Sequence, residues 1–394
     1  MRASPLSRFA RYVVVLVAAG MLSACASWFD NVYIFSSEPK HKPTVLTEIK
    51  PTLVVKPLWN ASVGKPGRYF LTPAMIEPDV VIAGGKGVVE RRVLATGALV
   101  WRTDVDQPLS AGVGSDGDLS VVAATNGELI ALGSDGKQRW KVQMNAEVLS
   151  APAVGQGLVI VRTSDNRVLA YDAENGRRRW TYQRTAQSLV LRSNPGIVIS
   201  GALAYGGFPG GKLVALTVAT GALRWEASVA VPKGATELER VADVVGTPIV
   251  VGREVCAAAF QGRLGCFDVT SGTAIWTRDL STSTGLEIDG RFAFVTDENS
   301  FVHALSRGSG ISVWKADKVA YRALTAPASV GRALAVGDYK GFVHWLARED
   351  GSLVARSTTD GSALVVAPRA FAVGSQAAVL FQTQGGGVYA FVTE

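Results

Sequence analysis

Cysteine and histidine are both scarce in this chain, three of each in 394 residues. So few cysteines exclude a dense disulfide framework, and so few histidines leave little for a histidine-rich metal site. Charge is thin as well. Charged residues make up 19% against 48% apolar, which excludes a disordered chain or a long coiled coil. No apolar run reaches the ~20 residues that cross a bilayer as a helix. The formal net charge is +7, but Arg2, Arg8 and Arg11 stand in the first 24 residues with no acid among them. The body that follows is only mildly basic, which argues against a nucleic-acid surface. Glycine, by contrast, is abundant at 42 residues.

The chain opens with those three arginines and an apolar run of ten, Tyr12 to Met21, followed by Leu22-Ser23-Ala24-Cys25. A basic start, a short apolar core and small residues describe a secretory signal over 1–24. The tetrad resembles a bacterial lipobox, which implies cleavage before Cys25 and acylation of that residue; the alternative is an ordinary signal with an incidental cysteine. Several acyl chains at ~0.8 kcal/mol per buried methylene anchor a domain firmly. Ala26 follows where an inner-membrane lipoprotein commonly has Asp, so the expected address is the outer membrane, facing the periplasm. From 25 to 57, Pro39, Pro43, Pro51 and Pro57 are scattered among polar residues. Such text reads as a flexible leash, able to reach roughly 100 Å at ~3.1 Å per residue.

The rest is one unit written repeatedly. Trp59, Trp101, Trp140, Trp180, Trp225, Trp276 and Trp314 are separated by 42, 39, 40, 45, 51 and 38 residues. All but the first end a glycine, three residues, tryptophan phrase, from Gly97 to Trp101 through Gly310 to Trp314, and a short apolar strand precedes each phrase. Pro73, Pro152, Pro248 and Pro327 keep step, each 28 residues before positions 101, 180, 276 and 355. Position 355 is alanine, so the seventh unit keeps the phase and loses the tryptophan. The eighth unit, entered at Pro368, ends at Glu394 before its last strand, while Leu58-Trp59-Asn60-Ala61 is a last strand without a unit. Runs of 4–6 residues bounded by glycine turns are strands. The fold expected over 58–394 is therefore all-β: an eight-bladed β-propeller of four-stranded antiparallel blades, closed by the N-terminal strand around Trp59. The tryptophans are expected to lie between blades, each burying on the order of 200 Å².

No phosphate loop, nucleophile elbow or His-Glu-x-x-His pattern appears. Asp116, Asp135, Asp172 and Asp268 sit at repeat turns, where carboxylates accept turn amides. His303 and His344 occupy equivalent repeat positions 41 residues apart and read as structural. Cys256 and Cys266 lie on consecutive strands. A two-residue hairpin would set them on opposite faces, whereas a three-residue bulged loop would set them opposite one another, able to bond in an oxidising compartment. Two intervals, 180–225 and 225–276, exceed the usual spacing, and the excess marks candidate binding loops. Leu189 and Leu191 alternate beside Arg192 in the first, a hot-spot composition. Glu237, Glu239, Arg240 and Asp243 supply charge in the second. The competing reading turns both leucines into the blade core.

The phrases Ala170-Tyr-Asp-Ala-Glu-Asn-Gly-Arg-Arg-Arg-Trp180 and Cys266-Phe-Asp-Val-Thr-Ser-Gly-Thr-Ala-Ile-Trp276 resemble the quinoprotein-type propeller repeat. Three irregular stretches are more specific: Ser188-Leu-Val-Leu-Arg192, Thr236-Glu-Leu-Glu-Arg-Val-Ala-Asp243 with Thr247-Pro248, and Lys340-Gly-Phe-Val-His-Trp345 with Glu349-Asp-Gly351. With these, nearly the whole chain resembles the BamB family, lipoproteins of the outer-membrane β-barrel assembly machine. The resemblance implies a non-enzymatic scaffold without cofactor or metal, which docks the periplasmic POTRA domains of BamA and assists folding and insertion of barrel precursors. It carries BamA contact to Leu189, Leu191, Arg192 and Asp243, while Val245 and Gly246 depart from the more acidic family pattern. Two alternatives stand beside it: a quinone-dependent periplasmic dehydrogenase, and a lipoprotein propeller serving another envelope partner. Against the dehydrogenase, adjacent cysteines of the kind that sit beneath such a cofactor are absent, and the mature chain is short for that class.

Overall fold

The computed structural model describes residues 41–184, 189–191 and 195–394, and its compact unit spans Pro43–Glu394. Thirty-two strands form eight four-stranded antiparallel sheets. The blades cover 74–104, 109–143, 153–183, 197–228, 244–279, 286–316 and 328–358, with the eighth built from 369–393 and Val55–Ser62. We letter the strands of each blade A to D from the central axis, where successive A strands meet, to the rim. Because the strands alternate in direction, every D-to-A connection and every B-to-C turn lies at one end of the ring.

Closure follows the expected scheme. Val55–Ser62 is the D strand of blade 8 and pairs antiparallel with Gly387–Thr393, from Val55 opposite Thr393 to Ser62 opposite Gly387. A bulge between Pro57 and Trp59 accommodates the proline on this edge strand. The ring therefore has no loose end to cap.

The tryptophan period has a mechanical origin. Each indole lies across the interface and donates its Nε1–H to a carbonyl in the next blade: Trp59 to Leu94, Trp101 to Ser134, Trp140 to Ala173, Trp180 to Val218, Trp225 to Val269, Trp276 to Arg307 and Trp314 to Arg348, at 2.5–3.0 Å. Its ring rests on the glycine of that blade's C–D turn. A Cβ at Gly97, Gly136, Gly176, Gly221, Gly272, Gly310 or Gly351 would lie 2.4–2.8 Å from the ring of the preceding tryptophan. The phrase glycine, three residues, tryptophan thus joins a seat for one blade to the side chain that seats on the next.

This arrangement explains Ala355. Blade 8 is divided by the chain ends, so its C and D strands share no turn and offer no glycine seat. In the other blades a smaller C-strand residue usually faces the tryptophan, as Ala170 faces Trp180 and Ala215 faces Trp225. Blade 7 exchanges the two: Trp345 on strand C pairs with Ala355 on strand D. Trp345 is fully buried, bonds Ser357 at 3.1 Å and meets Phe391 of blade 8 edge-on.

Of the expected leash, residues 44–57 are seated on the ring. Thr44 donates to the Ala320 carbonyl at 3.1 Å, Thr52 and Leu53 donate to Val354 at 2.9 and 3.3 Å, and Val54 accepts from Glu394 at 3.1 Å. Leu53 and Val55 pack beside Ala355 and Trp345 in the core between blades 7 and 8. The apolar residues of the segment, Leu46 and Leu53 among them, follow no repeat, and its partners lie some three hundred residues away.

Candidate functional site

The two longest connections in the ring are those the spacing singled out, 184–196 and 229–243, both D-to-A loops flanking blade 4. Neither described leucine enters the blade core. Leu189 is 42% exposed and Val190 37%, while Leu191 is half-buried. Arg192 lies outside the described residues, as does Cys25.

The second loop is shaped by its own polar residues. The Glu239 carboxylate accepts the amides of Ala235 and Thr236 at 2.8 and 3.1 Å, and Thr236 Oγ1 accepts the Glu239 amide at 3.3 Å. This reciprocal pattern is a capping box. The amides of Thr236 and Ala235 hold the Glu239 carboxyl below its ordinary range. Arg240 Nε donates to the Gly234 carbonyl at 3.0 Å. Glu239 and Arg240 therefore set the form of the loop, Glu237 is exposed, and Leu238 is displayed between the two acids at 69% exposure.

Asp243 does not supply surface charge. It is 2% exposed, and its carboxylate accepts the Leu191 amide at 2.6 Å and the Gly210 amide at 3.0 Å. One buried acid thus ties three pieces of the same face: the first loop, the B–C turn of blade 4 and the end of the second loop. Charge-assisted bonds of this kind are roughly twice as strong as neutral ones. Beside it, Arg162 donates to Asn166 Oδ1 at 3.2 Å and lies over the Phe208 ring at 5.1 Å. Burial lowers the Arg162 guanidinium to about 10, against the pull of Asp243. A cavity of about 280 Å³ opens between Arg162, Asp243, Leu191 and Glu147. Val190 lies within the stretch Ser188–Arg192, whereas Glu147 has no mark in the sequence and Arg162 only the break after the apolar strand Leu158-Val-Ile-Val161.

The remaining candidates are structural. The B–C loop at 260–262 holds Gln261 at φ 47°, and the register sets Cys256 opposite Cys266, whose sulfurs are bonded. Among the described residues, Glu254, Cys256 and Cys266 are the one convergence of three metal-ligand side chains, and the disulfide engages both sulfurs. His303 and His344 each meet a carboxylate of their own blade, Asp297 and Asp338, at 2.9 Å. Asp116, Asp135, Asp172 and Asp268 accept turn amides as expected.

Residues 85–316 match the family model described as outer membrane protein assembly factor BamB. Over 98% of both chains, 45% of residues are identical to the BamB of Burkholderia pseudomallei, and 42% to that of Bordetella pertussis. The chain belongs to the BamB family. The crystal structure of BamB from Moraxella catarrhalis superposes with a TM-score of 0.77 at 26% identity, covering 86% of this chain and 100% of that one. A quinohemoprotein alcohol dehydrogenase from Comamonas testosteroni superposes with a TM-score of 0.65, but at 14% identity this likeness shows the fold alone. The named BamB relatives are assembly factors, and in this family member the long loops beside blade 4 are the part of the ring whose length the propeller repeat does not require.

Proposed function

We propose that this chain is a non-enzymatic scaffold subunit of the outer-membrane β-barrel assembly machinery, held at the periplasmic face of the outer membrane by lipid on Cys25. It docks the POTRA domains of BamA through residues 189–192 and 231–243 and so assists folding and insertion of barrel precursors. The observation that carries the reading is the Asp243 carboxylate, which joins both loops at their base while Leu189, Val190 and Leu238 stand exposed above it. Apolar anchors displayed on a rigid base are what an interface hot spot needs. The family pattern assigns the same loops to BamA contact, and Glu239 and Arg240 act by holding the second loop in shape.

Recovery of BamA by the tagged lipoprotein from solubilised envelopes tests this. Leu189→Asp with Arg192→Glu is expected to lower recovery at least tenfold with the ring intact by circular dichroism, and undiminished recovery refutes the assignment. Cys25→Ser is expected to abolish palmitate labelling and to move the protein from the membrane to the soluble periplasmic fraction.

A further inference from the structure

The segment 44–54 is seated by more than its backbone. Arg322 Nη1 donates to the Thr44 carbonyl at 3.0 Å, and Arg356 Nη1 donates to the Thr47 carbonyl at 2.9 Å. Both guanidiniums belong to one polar chain. Arg322, 5% exposed, bonds Asp338 Oδ2 at 2.7 Å; the same oxygen meets His344 Nε2 at 2.9 Å; His344 Nδ1 faces Arg356 Nε at 3.4 Å. The outward ends of this chain terminate on the carbonyls of the segment. Two apolar side chains accompany them, Leu46 against the core between blades 6 and 7 and Leu53 against the core between blades 7 and 8.

The course of the segment follows from these partners. Leu53 and Val54 lie at the C–D end of blade 7, beside Val354 and the terminal Glu394. Thr44 lies against Ala320 and Arg322, in the D-to-A loop between blades 6 and 7. That loop is at the same end of the ring as 184–196 and 229–243. The segment therefore runs along the D strand of blade 7, the one that carries alanine in place of tryptophan, from the interface with blade 8 to the interface with blade 6, and its upstream end reaches the face that displays Leu189 and Leu238.

We propose that residues 44–54 are a strap that fixes where the membrane tether leaves the ring, on the face that bears the docking loops, with Arg322 and Arg356 as its positioning residues. The proposal rests on lipid attachment at Cys25 and on the docking role of those loops. Seated, the strap leaves only 25–43 as tether; released, the tether extends to 54. Effective concentration falls roughly as the −3/2 power of linker length, so release dilutes the docking face at the membrane about twofold.

Hydrogen exchange on the full-length lipoprotein in detergent tests the seat. The amides of Thr44, Thr52 and Leu53 are expected to exchange about 100-fold more slowly than those of exposed Glu48 and Lys50. Leu46→Asp with Leu53→Asp is expected to remove that protection while the blade 7 D strand keeps its own. Because Leu53→Asp also touches the core, Thr52→Pro, which deletes one donor and adds no charge, is the second variant. Free-chain exchange over 44–54 in the wild type, or protection unchanged in both variants, overturns the strap. In envelopes, photocrosslinking to the partner from position 189 is expected to fall about twofold in the released variants. A yield unchanged by release overturns the orientation claim. Absence of any crosslink in the wild type sinks the docking reading instead, and leaves the exchange result to decide the strap.

Discussion

If each tryptophan locks onto the next blade's glycine, a single methyl group placed at the seat should cost far more than the same methyl elsewhere at the same backbone geometry. Gly221 and Gly252 make the comparison. Both have positive φ, 71° and 61°. A Cβ at Gly221 would lie 2.4 Å from Trp180 Cε3 and 2.6 Å from Cδ2, whereas a Cβ at Gly252 meets nothing within 4 Å. Holding alanine in the left-handed region costs ~1–2 kcal/mol. Forcing a methyl into a packed interface adds ~1–3 kcal/mol, because the indole is pinned by its bond to Val218 at 2.8 Å. Gly252→Ala should therefore destabilise the ring by about 1–2 kcal/mol and Gly221→Ala by about 2–5 kcal/mol. Urea unfolding followed by far-ultraviolet circular dichroism reads both, provided the slope with denaturant is unchanged. The decisive measurement is the cycle with Trp180→Ala. With the ring gone, Gly221→Ala should cost no more than Gly252→Ala, a coupling of about 1–3 kcal/mol. Equal losses for the two glycine variants, or additivity in the cycle, would refute the seat mechanism.

Three further outcomes follow from particular groups. Asp243→Ala strands the amides of Leu191 and Gly210, at about 1–3 kcal/mol for a buried unpaired group; faster exchange at residues 189–191 with reduced BamA recovery is expected, and an unaltered loop contradicts its role as a tie. Burial on the blade 6 A strand raises the Glu287 carboxyl to about 7 from 4.5, against the Ser329 amide and Arg369. The folded state therefore favours the protonated form, and the stability this gives is complete below pH 4.5 and lost as pH rises through 7. Glu287→Gln should match the wild type near pH 4 and exceed it at pH 8 by up to about 3 kcal/mol in thermal melts, and parallel pH profiles would contradict the assignment. Cys256→Ala with Cys266→Ala opens a short loop worth about 2–3 kcal/mol, with BamA recovery unchanged if the bond serves stability alone.

The parts of this molecule that could be read from its sequence are those written as repeated contacts. A tryptophan on one blade and a glycine on the next must keep step around the ring, so the phase survives even where the residue does not, as at Ala355. The Cys256–Cys266 pairing depends on one extra loop residue, and the sequence is compatible with both registers. Burial of a loop residue is harder still. In the sequence Asp243 reads as loop charge, yet the amides it accepts come from Leu191 and Gly210, brought to it only when both loops fold back onto the B–C turn of blade 4.

The strap marks the limit of such reading, and shows why it lies there. A single extended segment has no period, and its polar fixed points are backbone amides and carbonyls, which nearly every residue possesses. What distinguishes 44–54 from a free leash is distant: the cores that take Leu46 and Leu53, and two guanidiniums at positions 322 and 356, already oriented by Asp338 and His344. The blade they serve is also the neighbour of the one that Val55–Ser62 closes against Gly387–Thr393. A ring sewn from eight equal units needs one seam, and at that seam the repeated seat is unavailable. Here Trp345 moves to the neighbouring strand and the N-terminal segment covers Ala355, so the place where the repeat fails is also the place where the tether is held.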